Sequence, residues 1–100
     1  MQCFYVLLHG RLAWNANATD RGQKAEQPVG LYCHRYVLAS DREKAVQKAI
    51  DSASADLDNQ TGWLRNRIIV LRWEAEEISN ASFFKAFLPT NRGHTFYDKE

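Results

Sequence analysis

GLYCHRYVLASDREKAVQKA, residues 30–49, is the stretch on which the fold turns. Its first ten residues alternate. Tyr32, His34, Tyr36 and Leu38 fall on one side, and Leu31, Cys33, Arg35, Val37 and Ala39 on the other, which is the period of a strand. At Ser40 the period changes. Ser40, Asp41, Arg42 and Glu43 spell a capping box, in which the serine oxygen accepts from the amide three residues on and Glu43 reaches back to the Ser40 amide. Asp41 and Glu43 also suit the positive end of the helix dipole. Behind them Ala45, Val46, Ala49, Ile50, Ala53 and Leu57 form one helical stripe, while Arg42, Lys44, Gln47, Lys48 and Asp51 are polar. The sequence thus predicts a helix over residues 40–57, with a stripe small enough to lie close against a sheet. Neither face of the preceding strand is cleanly polar. We assign Leu31, Cys33, Val37 and Ala39 to the core side, with Arg35 bending toward an edge.

Toward the N-terminus, residues 1–14 also alternate. Phe4, Val6, Leu8, Leu12 and Trp14 make an apolar even face, interrupted by Gly10, and this is the predicted core face. The odd positions run from Cys3, Tyr5 and Leu7 to His9 and Arg11. The segment has no positive leading region and no small-residue cleavage site, so it reads as a strand rather than a signal peptide. No apolar run approaches the length of a membrane span, and a cytoplasmic location is expected. Between the two strands, NANATDRGQKAEQP (residues 15–28) has no periodicity and is expected to be disordered.

Toward the C-terminus, Asp58 to Gly62 reads as a turn, with Gly62 the left-handed residue. Residues 67–78 form a third strand. Ile69, Leu71, Trp73 and Ala75 lie on one side, and Ile68, Val70, Arg72, Glu74 and Glu76 on the other. Its first half is apolar on both faces, as in a central strand or one at a subunit contact. Glu77 and Ile78 break the alternation, which predicts a bulge or the strand end. Asn80 or Ser82 then caps a short helix through Leu88, with Phe83, Phe84 and Phe87 on its apolar face and Pro89 ending it. In the tail, RGHTFYD (residues 92–98), Phe96 and Tyr97 are expected to dock on the same or a neighbouring subunit.

This order predicts an α+β domain spanning residues 1–100, an antiparallel sheet with helices packed on one face, in the order β-β-α-β-α with a short last strand possible. Residues 30–49 resemble the strand-to-capped-helix step of many small ferredoxin-like proteins, over about a fifth of the chain. The resemblance implies a ferredoxin-like sandwich and carries over no functional residue.

Composition narrows the function classes. Hydrophobic residues at 45% and charged residues at 25% match an ordinary globular protein, and a net charge of +1 argues against a dedicated polyanion binder. Cys3 and Cys33 would sit at opposite ends of an antiparallel pair, beyond disulfide reach, so two free thiols are expected. Asn17, Asn59 and Asn80 lie in N-x-S/T sequons that carry no weight without a secretion signal.

No nucleophile elbow, phosphate loop or CxxC occurs, and an enzyme is not the favoured reading. His9 and His34 would share a metal only if the hairpin register brought them together with a third ligand, so neither metal nor cofactor is expected. Glu74 and Glu76 would share a strand face roughly 7 Å apart, near glycosidase spacing, but a solvated strand face with Arg72 pairing Glu74 is the simpler account.

The remaining signal is a mixed aromatic face. Tyr5, Leu7 and His9 would lie beside Tyr32, His34 and Tyr36, with Arg72, Glu74 and Glu76 as a charged rim. An apolar, aromatic centre with a charged rim suits a subunit or partner contact. The predicted function is a protein-interaction module that forms a homodimer or binds a protein partner through Tyr5, His9, Tyr32, His34, Tyr36, Arg72 and Glu74. The alternative is a ligand-binding or catalytic domain with a pocket near His9, His34 and Arg35. Single-stranded nucleic acid, stacked on the tyrosines with Arg35, Arg65, Arg67 and Arg72 on phosphates, ranks third.

Overall fold

A computed structural model describes residues 1–15, 28–87 and 94–97. The chain runs β1 (Gln2–Trp14), β2 (Gly30–Ala39), α1 (Arg42–Thr61), β3 (Ile69–Asn80), a 3₁₀ turn (Phe83–Phe87) and β4 (Thr95–Tyr97). The four strands form one antiparallel sheet in the order β3-β1-β2-β4. The α+β class and the antiparallel sheet are as the hydrophobic periods require. The expected disordered stretch falls almost wholly on residues 16–27, outside the described residues, as do Leu88, Pro89, Arg92, Gly93 and Asp98.

β1 holds the centre because its even face can be buried along its whole length. Phe4, Val6, Leu8 and Leu12 are all buried there and pack against α1 and its flanking loop. β2 adds Leu31, Cys33 and Ala39, and β3 adds Ile69, on that same face. Each strand contributes alternate residues, so the sheet acquires one covered face and one that α1 never touches.

α1 fits because its contact stripe is small. Ala45, Ala49, Ala53 and Leu57 are fully buried, and the alanines let the helix axis approach the sheet. The helix starts one residue later than the capping-box reading. Asp41, in extended conformation, is the N-cap, and its carboxylate accepts from the Lys44 amide at 2.9 Å. A carboxylate satisfies that orphan amide and the helix dipole together, which a serine hydroxyl does only in part. At the other end Gly62 has φ 71° and donates its amide to the Asp58 carbonyl at 2.7 Å, the left-handed cap expected of it. The helix continues to Thr61 because Asp58 is drawn into this cap, where its Oδ1 accepts from the amides of Leu64 and Arg65.

Three expectations are corrected. Arg35 does not bend toward an edge; it is fully buried on the α1 side, where Nη2 donates to Asp56 Oδ2 at 3.2 Å and Nη1 to the His34 carbonyl at 2.8 Å. Its register partner is Val6, so strand parity leaves it no other direction. Of the two settings read for the third strand, the central one is not formed: β3 is an edge strand among the described residues, and Val70 stands 68% exposed there. The second helix is only a five-residue 3₁₀ turn, and it sits on the other side of the sheet from α1. Lys85 Nζ there lies 5.8 Å from the Tyr36 ring centroid. Among the described residues one α-helix packs on one face, without the two-helix layer of the ferredoxin-like expectation.

The predicted break in β3 is a bulge. Leu8 faces Ala75 and Leu7 faces Glu77, leaving Glu76 as the extra residue. Cys3 and Cys33 are free and buried, opposite Leu38 and Leu8 respectively, as their separation along the hairpin demands.

Candidate functional site: the open face of the sheet

The odd residues of β1 and their partners build the face that α1 leaves uncovered. Register sets Tyr5 opposite Tyr36, Leu7 opposite His34, His9 opposite Tyr32 and Arg11 opposite Gly30. On the other side of β1, Ser79, Glu77, Glu74 and Arg72 stand opposite Tyr5, Leu7, His9 and Arg11. All seven residues predicted for the interaction face therefore lie on one side of the sheet.

They divide into two aromatic groups. In the first, Tyr5 stacks on His34 with centroids 5.8 Å apart and meets Tyr36 at 5.3 Å. His34 meets Tyr36 edge-on at 5.7 Å. In the second, His9 lies flat on Tyr32, with centroids 4.5 Å apart and planes 11° from parallel. Tyr97 from β4 closes this group at 5.6 Å from His9 and 5.5 Å from Tyr32. Aromatic pairs at these separations add about 0.5–1.5 kcal/mol each beyond their buried area.

His9 is the most enclosed polar residue of the face, at 6% exposure. Its Nε2 is hydrogen-bonded to the Tyr97 hydroxyl at 2.5 Å, and its Nδ1 lies 3.4 Å from Glu76 Oε1. Glu74 sits directly across β1 from His9, with Oε2 3.9 Å from Arg11 Nη2. The partner of Glu74 is thus Arg11 and not the predicted Arg72, because register sets Arg72 opposite Arg11, one step along the face.

Gly30 makes room for this arrangement. It faces Tyr97 across β2 and β4, and a Cβ there would lie 2.3 Å from the Tyr97 ring. Tyr97 docks within its own subunit, one of the two outcomes the tail sequence allowed. That its target is His9 depends on an 88-residue separation that no local pattern records.

No protein-family model, curated protein or solved structure matches the chain. Geometry alone has to carry the functional reading. No helix among the described residues is long and apolar enough to cross a membrane.

The pocket expected near His9, His34 and Arg35 does not gather those three. Arg35 is on the α1 face, and His9 does not line the pocket that forms. A shallow pocket of about 280 Å³ does form beside His34, lined by Leu7, Tyr32, Cys33, His34, His94 and Thr95. Burial pushes the Cys33 thiol, which sits in the core on the α1 side, up to about 11, so it is uncharged at neutral pH. His94 is held below the ordinary imidazole range, first by burial and then by the positive charge of Arg35.

Beyond the aromatic groups, the 3₁₀ turn carries Phe83, Phe84 and Phe87 at 52%, 78% and 67% exposure, with Phe83 and Phe87 centroids 5.7 Å apart. The sequence placed these three on the apolar face of a short helix. A five-residue turn is too short to bury them, and they face outward instead.

Proposed function

We propose that the protein is a small cytosolic interaction module that self-associates through the open face of its sheet. The observation behind this reading is the extent of that face. Tyr36, Tyr5 and His34, then His9, Tyr32 and Tyr97, form two ring clusters on one surface, and the exposed phenylalanines adjoin it through Lys85 and Tyr36. Aromatic side chains concentrate in the centres of interfaces because they cover much area at low entropic cost. The rim has both signs, with Arg11 and Arg72 beside Glu74, Glu76 and Glu77, so two copies related by a two-fold axis can set unlike charges against each other.

Light scattering on a sizing column, over a concentration series, tests this. The expected mass is that of a dimer, dissociating on dilution. Tyr36→Ala and Phe84→Asp are each expected to weaken association by roughly tenfold or more, since central aromatic anchors contribute about 2 kcal/mol or more. A monomer at every concentration overturns self-association.

A second reading is favoured by the pocket beside His34. A small ligand bound there would raise the unfolding temperature in a metabolite screen, and His34→Ala would abolish the shift.

A further inference from the structure

The acidic edge beside His9 is more than a charged rim. We propose that His9, Glu74 and Glu76 form a binding site for a divalent transition-metal cation, with Zn²⁺ as the reference ion. One ligand atom from each side chain lies within 4.8 Å of the other two, wider than the roughly 3–4 Å between donors that each sit about 2 Å from one ion, so the two exposed carboxylates close inward on binding. The site holds whether or not the face self-associates.

The nitrogen donor is fixed before any ion arrives. The His9 side chain is 7% exposed, clamped flat against Tyr32, and tethered at Nε2 by the Tyr97 hydroxyl. That leaves Nδ1 turned toward the carboxylates, 3.4 Å from Glu76 Oε1. Metal-bound imidazoles characteristically hold a hydrogen bond from the ring nitrogen that does not ligate, because it sets both tautomer and ring angle. With Nδ1 on the metal, the Nε2–H donates to the Tyr97 oxygen.

The two carboxylates arrive by different routes. Glu74 is the register partner of His9, and Glu76 is the bulged residue between Ala75 and Glu77. Bulges re-aim side chains, and this one brings a second carboxylate beside the same imidazole. Both glutamates are nearly half exposed, at 46% and 44% of their side chains, so they can close on an ion and leave a coordination position open to water. An imidazole with two carboxylates suits Zn²⁺ or Mn²⁺, whereas Mg²⁺ and Ca²⁺ prefer oxygen donors throughout. Two carboxylates also neutralise the dication.

Isothermal titration of chelator-treated protein with ZnCl₂ tests the proposal, with Co²⁺ substitution as the spectroscopic readout. One ion per chain is expected, with a Co²⁺ spectrum that lacks a thiolate charge-transfer band. Glu74→Gln and Glu76→Gln change exposed side chains and leave the fold intact; each is expected to weaken binding by roughly tenfold or more. Tyr97→Phe keeps the ring and removes the hydroxyl that bonds His9 Nε2, so a loss of about tenfold in affinity at unchanged fold identifies Tyr97 as a positioning residue. Undiminished Zn²⁺ binding in the Glu74→Gln/Glu76→Gln double variant, a thiolate spectrum, or no binding at millimolar Zn²⁺ would overturn the site. Stoichiometry is counted per chain, so a monomeric mass in the sizing experiment leaves this result standing.

Discussion

Gly30 has no side chain, and Tyr97 occupies the space where one would be. Replacing it by alanine sets a methyl group 2.3 Å from the phenol ring, and that ring must move off His9. Gly30→Ala is expected to cost about 1–3 kcal/mol, as overpacking does, and to expose His9, measured by urea unfolding and by the histidine resonances in NMR. Arg35 makes the opposite kind of demand, since its charge is sealed beneath α1 with Asp56. Asp56→Ala should cost about 2 kcal/mol or more in the same unfolding assay, because it takes the countercharge away from a fully buried guanidinium. His94 adds a pH dependence. Its ring nitrogens are buried without hydrogen-bond partners among the described residues, and its folded state resists protonation. The unfolded chain takes up the proton near pH 6.5, so the stabilisation is complete above that value and falls as pH drops below it. The urea midpoint is expected to decline between pH 7 and 5, and His94→Gln to flatten that decline.

At the scale of elements, the alternation in β1 and β2 and the alanine stripe of α1 were readable because burial enforces period two or 3.6 on residues that cannot face water. Phe4, Val6, Leu8, Ala45, Ala49 and Ala53 all lie where their periods place them. Ala49→Leu is expected to wedge α1 from the sheet at a cost of about 1–3 kcal/mol, seen as a lower denaturant midpoint at unchanged slope. Where periodicity was ambiguous, packing decided. Arg35 shares parity with Leu31 and Cys33, and its charge suggested an edge until Asp56 supplied a partner from twenty-one residues away. Val70 is apolar yet exposed, because hydrophobicity records what a residue tolerates and not which strand has a neighbour. The three phenylalanines show the same limit, since a helical spacing gives no measure of whether the helix is long enough to form.

For the whole molecule, the side of the sheet on which the aromatic residues gather follows from the hairpin. Parity alone puts Tyr5, His9, Tyr32, His34 and Tyr36 together once β1 and β2 are antiparallel. The finer constellation was not legible. Glu76 reaches His9 because of a bulge whose position depends on the β1–β3 register, and Tyr97 reaches it because the last described strand returns to β2. Both are products of tertiary pairing between segments that share no local pattern. The same arrangement orders events in time. β1, β2 and α1 can assemble from the first sixty-one residues, but His9 meets Tyr97 only after eighty-eight more residues have followed it. Once the hairpin is paired the imidazole can lie on Tyr32, while its contacts with Glu76 and Tyr97 wait for later segments. The scaffold can therefore form before the residues that complete the surroundings of His9 have been made.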